Sequence, residues 1–392
     1  GRAEAAGADE QDLGVEELGL ALFADLGEEK VAAVTIKLFG GHLLIDLNGV
    51  AKVFPFGVAA EHGFDIGVAH GFEYLTGEEG AHAAGAVGND RSGTVLDDLL
   101  DARVLIKCEN LQLTGSFKFR GAFNKISQVT KTKSTKSFVA WSSGNHAQAV
   151  AAATSMVGGK AFIVMPSDAP QVKISGAKYY GADITFYDRN TEIREDIGKQ
   201  IADEKGAIII PPYDDKHVIA GQGTTGLESC AQALAMDATP NVALIPCGGG
   251  GLIAGCGIAL RKQFPDISIH PIEPEGFNDT ARSLELGKRV QNKSGHTSSC
   301  DALLAPTPGE LTFKINSQIL GSGKTVTDSE ITSAMSFAIN HLKLTTEPGG
   351  VAALASLLSD RESYKGKTIL LVLSGGNVDP SKLHLALSSK LS

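Results

Sequence analysis

The sequence predicts an α/β fold built on a doubly wound, mostly parallel sheet, and three observations predict it. From about Val95 onward, short apolar runs alternate with helical stretches. The runs are rich in Val, Ile and Leu throughout, as strands buried on both faces are. Each conspicuous polar motif follows directly on such a run, where ligands bind in open α/β sheets.

In chain order, Val104–Cys108, Phe138–Trp141, Ala161–Met165, Ile184–Tyr187, Ala207–Ile210, Val242–Pro246, Ile267–Ile272 and Thr368–Leu373 read as the strands. Amphipathic segments such as Val172–Tyr180 and Leu252–Lys262 read as the helices between them. Thr114-Gly115-Ser116 offers an N-cap just ahead of Lys118. Residues 1–94 are different in kind, rich in Gly, Ala and acidic side chains with one Pro and no Met, and no structure is assigned to them.

The 392 residues suffice for a large core, and their formal charge of -10 is unevenly spread. Residues 1–94 hold 16 acidic and 5 basic side chains, a balance of -11, which leaves +1 for the remainder. The part carrying the motifs is therefore close to neutral, and no nucleic-acid partner is expected. Five cysteines with no Cys-x-x-Cys pair read as reduced thiols. No run approaches the roughly 18 apolar residues of a membrane helix, so no membrane partner and a cytoplasmic location are expected.

Lys118 follows a strand and a polar turn, at a junction that also welcomes an anionic cofactor. A surface lysine in a first helical turn is the plain alternative. Gly248-Gly249-Gly250-Gly251 follows a buried strand and precedes Leu252 and an apolar helix, so its amides can converge on a phosphate. Ser142-Ser143-Gly144-Asn145-His146 opens an Ala-rich helix, where hydroxyls, amides and the helix N-terminus suit a carboxylate, or simply cap the helix. Ser374-Gly375-Gly376-Asn377 closes the strand Ile369–Leu373. Glu273 and Asp279, with the Phe277 carbonyl between them, could supply hard oxygen ligands to Mg²⁺ or Ca²⁺; Asp279 could equally cap Thr280–Leu286.

Together these motifs resemble the fold-type II (tryptophan synthase β-like) pyridoxal-phosphate enzymes, and within them the serine/threonine ammonia-lyases and serine racemases. The likeness spans roughly Val95 to Asp379. It implies pyridoxal 5'-phosphate as cofactor, with Lys118 as the lysine that condenses with it, Phe117 along its ring, Asn145 on its 3′ oxygen, and Gly248, Gly249, Gly250, Gly251 and Leu252 around its phosphate. It puts Ser374 opposite the pyridine nitrogen, Ser142, Ser143, Gly144 and His146 at the substrate, and Ser143 as the second base. It also implies a small mobile lobe over 138–213, set into a larger lobe formed by 95–137 and 214–392, and a homodimer or higher homo-oligomer. The spacing of Glu273, Phe277 and Asp279 is that of the family's metal-responsive members. The helix and Arg-Thr-Pro segment that the family places ahead of the region matching Thr94–Arg103 are not found in residues 1–94.

The implied substrate is a small β-hydroxy amino acid. Elimination from L-threonine or L-serine, giving 2-oxobutanoate or pyruvate plus ammonia, ranks first, because Cys300 to Glu310 looks more like bacterial ammonia-lyases than animal racemases. Serine racemisation with eliminating side activity is the alternative. A third is elimination from threo-3-hydroxyaspartate, with Arg194 as the cation for its extra carboxylate. From another class comes a binding protein that keeps the fold without turnover. Cysteine synthesis by β-replacement is disfavoured, since its Thr-Gly-Asn-Thr loop is replaced here by Ser-Gly-Asn-His.

Overall fold

The computed structural model describes residues 17–20, 34–39, 42–47 and 51–55 as backbone, and residues 95–142 and 144–388 in full. Ser143, the expected second base, lies outside the described residues. The chain divides into two units, residues 1–61 and 62–392. In the first, β1 (Glu17–Leu20), β2 (Val34–Phe39), β3 (His42–Leu47) and β4 (Ala51–Pro55) form an antiparallel sheet in the order β1-β2-β3-β4. Pairing between strands that are neighbours in sequence is what antiparallel geometry allows.

The second unit is α/β. In chain order it runs α1 (Val95–Leu100), β5 (Arg103–Cys108), α2 (Lys118–Thr132), β6 (Ser137–Trp141), α3 (Asn145–Met156), β7 (Lys160–Pro166), α4 (Gln171–Tyr179), β8 (Asp183–Tyr187), α5 (Arg194–Lys205), β9 (Ile208–Ile209), α6 (Lys216–Ala235), β10 (Val242–Pro246) and α7 (Gly251–Gln263). It continues with β11 (Ser268–Pro274), α8 (Asp279–Leu286), α9 (Glu310–Ile319), β12 (Lys324–Val326), α10 (Asp328–Phe337), α11 (Ala352–Ser359), β13 (Thr368–Leu373) and α12 (Pro380–Ser388).

Two sheets result, both parallel. One has the order β12-β11-β10-β13-β5 and the other β8-β7-β6-β9. The first is buried on both faces, which its continuous apolar strands require. On β13, Ile369, Leu371 and Leu373 join one core with α10 and α11, while Leu370 and Val372 join the opposite core with α6 and α7. That alternation is the two-residue period of a strand. The second sheet packs its own core with α3, whose alanines are small enough to bury the helix on nearly every side.

All eight strands expected from the sequence are present, most within two residues of the expected ends. Ala207–Ile210 shrinks to the two residues of β9, which pair only with Phe138 and Val139. The edge strand β12 is not foreshadowed, because three residues are too few to show a period. The expected cap ahead of Lys118 is not formed. Thr114 and Gly115 take positive φ (64° and 70°), α2 starts without a side-chain cap, and the buried Ser116 hydroxyl has no partner. Asp279 does not cap α8 either: the buried Glu273 carboxylate does, accepting the Thr280 and Ala281 amides at 2.9 and 2.8 Å. Among the described residues no helix is long and apolar enough to cross a membrane.

Candidate active site

Strand order brings the motifs together. Strands β10, β13 and β5 are adjacent, so the turns leaving their carboxyl ends meet: the glycine loop after β10, Ser374 after β13, and the turn to Lys118 after β5. Main-chain bonds sew the last two of these turns together, Phe117 N–H to the Ser374 carbonyl at 3.2 Å and Gly376 N–H to the Gly115 carbonyl at 2.9 Å. Ser142 and Gly144 arrive from the second sheet, following β6. The four sets line one cavity of about 420 Å³, well within the range of ligand sites.

Lys118 stands half-buried on the cavity wall. Its Nζ donates to the Pro212 carbonyl at 2.7 Å and lies 5.2 Å from the centre of the Phe117 ring. Burial lowers its pKa to about 8, and the nearby Glu347 carboxylate offsets only part of that. At that value roughly a tenth of the amine is neutral at pH 7, against less than about a thousandth for an ordinary lysine. His146 is buried and meets the Ile210 carbonyl through Nε2 at 2.8 Å. Burial, assisted by the Lys118 charge, lowers its pKa to about 3. The neutral ring must donate at Nε2 to meet that carbonyl.

The glycine loop is held by its carbonyls. The Thr312 hydroxyl donates to the Gly249 carbonyl at 2.7 Å, Gly309 N–H reaches the same oxygen, and Ala254 N–H donates to that of Gly250 at 3.0 Å. In a trans peptide the following N–H points the opposite way, so the Gly250 and Gly251 amides face away from these anchors. Gly250 has φ 92°, and a Cβ there would sit 2.7 Å from Asn316 Nδ2; a Cβ on Gly249 would collide with the Tyr213 ring. Glycine is required at both places.

At the second wall, Ser142 Oγ accepts the Gly144 amide at 3.1 Å, and Gly144 is the N-cap of α3 without a side-chain cap of its own. Asn145 is fixed at both ends: its Nδ2 donates to Glu347 Oε1, and its Oδ1 accepts from Asn377 at 2.9 Å. One amide hydrogen of Asn145 remains for a ligand. Beneath the loop lies Lys173, buried, with Nζ 2.6 Å from Asp301 Oδ2 and 3.5 Å from Glu347 Oε2. Burial alone would lower the Lys173 pKa, but the two carboxylates hold it above its ordinary value. The Glu347 carboxyl moves up through burial, with Lys173 opposing. The sequence motifs do not point to Lys173, Pro212, Tyr213, Asp214 or Glu347 at the site. The run Pro211-Pro212-Tyr213-Asp214 after a strand end is the one available sign.

Arg194, at the start of α5, lines the same cavity and bonds its neighbour Glu195 at 2.9 Å. Glu273, Phe277 and Asp279 lie elsewhere, at the end of β11. There Asp279 Oδ1 accepts from Asn292 at 2.5 Å, while its buried Oδ2 has no partner. Burial raises Asp279 to about 6; burial and then Asp279 raise Glu273 to about 8. Among the described residues no three His, Cys, Asp or Glu gather as a metal cage.

Comparison with known proteins agrees with this geometry. An L-threo-3-hydroxyaspartate ammonia-lyase of Pseudomonas sp is 40% identical over 287 residues, covering 73% of this chain and 88% of the relative. A serine racemase of Schizosaccharomyces pombe is 39% identical over 279 residues, covering 71% and 84%. The structure of the processed form of threonine deaminase isoform 2 from Solanum lycopersicum superposes with a TM-score of 0.70 at 30% identity, over 82% of this chain and 94% of that one. The family model described as "Pyridoxal-phosphate dependent enzyme" matches residues 94–375, which contain every strand of both parallel sheets, and the chain belongs to that family.

Proposed function

We propose that this enzyme eliminates water from L-threonine and L-serine, releasing 2-oxobutanoate or pyruvate with ammonia. The observation that carries the reading is Lys118: an amine whose pKa is brought down to about 8, on the wall of a cavity shared with the glycine loop and an uncharged Ser374.

The residues present fit pyridoxal phosphate, since the loop positions where a Cβ would collide leave backbone amides free to face a phosphate. When bound, the cofactor supplies an aldehyde that condenses with amines and a ring that draws electrons from the substrate Cα. Gly248 to Gly251 and Leu252 N–H groups hold the phosphate at the positive end of α7. Phe117 would pack against the bound cofactor, and the free hydrogen of Asn145 would serve its 3′ oxygen. Ser374, buried at the end of β13, presents a hydroxyl that carries no charge to the pyridine nitrogen. A carboxylate there would hold a proton on that nitrogen, whereas a hydroxyl favours rapid β-elimination over transamination. Ser142, Ser143 and Gly144 at the N-terminus of α3 bind the substrate carboxylate, and neutral His146 orients that loop. Lys118 takes the proton from Cα, as a general base with a pKa near the working pH can. The small lobe of 138–213 moves against the larger one to close the site, and the subunits form a homodimer or larger homo-oligomer in the cytoplasm.

Glu273, the Phe277 carbonyl and Asp279 hold Mg²⁺ or Ca²⁺ in this reading, supported by the buried, unpartnered Asp279 Oδ2, a hard oxygen suited to such an ion. A second reading of the substrate is L-threo-3-hydroxyaspartate, favoured by Arg194 on the cavity wall and by the relative that acts on it. If Ser143 faces the substrate opposite Lys118, serine racemisation accompanies elimination.

One experiment tests these alternatives. Protein with pyridoxal phosphate is incubated separately with L-serine, L-threonine and L-threo-3-hydroxyaspartate, while keto acid and serine chirality are followed. Keto acid without D-serine supports the lyase; D-serine accumulation makes it a racemase with side activity. Silence on all three overturns the proposal.

A further inference from the structure

We propose that Asp214 is a positioning residue that locks the Lys118 amine and the glycine loop into one rigid unit. Helix α9 begins with three amides that no intrahelical carbonyl can satisfy. The Asp214 carboxylate takes all three: Oδ2 accepts Glu310 N–H at 2.9 Å, and Oδ1 accepts Leu311 and Thr312 N–H at 2.9 and 3.1 Å. Asp214 is remote in sequence, so this cap joins two distant segments. Gly309 permits it, because a Cβ there would collide with Asp214 Oδ1.

Each end of the clamp touches the chemistry. Two residues before Asp214, the Pro212 carbonyl accepts the Lys118 amine at 2.7 Å. On the helix side, Thr312, whose amide Asp214 holds, donates through its hydroxyl to the Gly249 carbonyl at 2.7 Å. Tyr213, between them in sequence, lies against Gly249 and Gly251. Asp215 pins the other side of the segment, capping α6 through the His217 and Val218 amides and pairing with Lys125 of α2 at 2.6 Å. The acceptor of the lysine and the anchor of the loop are therefore held together while Asp214 caps α9.

This inference rests on the roles proposed above for Lys118 and the glycine loop. The test uses the full chain, freed of bound aldehyde, as wild type, Asp214→Ala, Asp214→Asn and Thr327→Ala. Thr327 forms the capping box of α10 with Glu330, at 3.2 and 2.7 Å, and controls for the loss of a helix cap that does not line the cavity. Dissociation constants for pyridoxal phosphate, for pyridoxal and for inorganic phosphate are read beside thermal unfolding. Asp214→Ala should weaken pyridoxal phosphate and inorganic phosphate by about tenfold, the ratio expected when a typical N-cap is lost. It should also weaken pyridoxal, which reports on the lysine without the phosphate. Asp214→Asn keeps one carbonyl oxygen for two of the amides and should recover part of each loss. Thr327→Ala should lose stability yet bind all three as wild type does. Asp214→Ala binding unchanged, or weakened no more than in Thr327→Ala, overturns the role of Asp214. Wild-type protein that binds none of the probes overturns the cofactor assignment itself.

Discussion

The amine of Lys118 donates to the main-chain carbonyl of Pro212 over 2.7 Å, so its nearest acceptor carries no charge. A carboxylate in that place would hold the ammonium form, whereas a carbonyl leaves burial to dominate, and the pKa falls to about 8. Lys118→Ala should abolish both keto-acid production and the visible absorbance that borohydride removes from lysine-bound pyridoxal phosphate. Turnover surviving in this variant would show that another group does the work.

The depressed pKa is itself measurable. Acylation of the protein without cofactor, followed residue by residue across pH, should label Lys118 with a midpoint near 8. Exposed lysines should label with midpoints of about 10.4. A midpoint for Lys118 among the exposed ones would mean that the amine is solvated and lacks the proposed activation.

His146 gives a stability signature with a definite sign. Its folded pKa, about 3, lies below the ordinary 6.5, so between these values the unfolded chain binds the extra proton. Stability therefore rises with pH across that window and is lost as pH falls. The contribution is a slope of at most about 1.4 kcal/mol per pH unit. Urea titrations of wild type and His146→Gln should differ by this slope below pH 6.5 and run parallel above it. Parallel curves throughout would place the histidine in contact with water.

Lys173 sits between Asp301 and Glu347 with almost no exposure. Lys173→Met should destabilise by about 3–5 kcal/mol, because removing one partner strands a buried charge. Adding Glu347→Gln should recover part of that loss, since the group left behind no longer ionises. Chemical denaturation of the single and double variants checks the coupling; additive losses would mean that the two side chains act independently.

Arg194 separates the substrate readings. Arg194→Ala should lower kcat/KM for L-threo-3-hydroxyaspartate by about tenfold or more, the scale of one lost charge-assisted contact, with little change for L-serine. Equal losses on both substrates would make the arginine a part of the cavity wall without a role in selection.

Much of this is legible in the chain because it is local. A strand buried on both faces must be apolar throughout, and Val242–Pro246 and Thr368–Leu373 show it so clearly that their ends agree with the structure. Four glycines between a strand and an apolar helix have few other uses. Caps are less legible for the opposite reason, since a short polar side chain near a helix start can satisfy that end or leave it to a distant group. Ser116 and Asp279 have the right residue types, yet α2 goes uncapped by a side chain and Glu273 caps α8 from the preceding strand.

The sequence by itself determined the alternation of strands and helices, the order of the motifs and the residue types able to handle a phosphate, an amine and a carboxylate, because periodicity and turn chemistry act over a few residues. Only the tertiary structure decided that β10, β13 and β5 lie side by side, that burial lowers the Lys118 pKa, that Lys173 meets Glu347 and that Asp214 caps α9. Those outcomes depend on contacts between segments far apart in the chain, 202 residues in the case of Asn145 and Glu347, and on the exclusion of water that their meeting brings about.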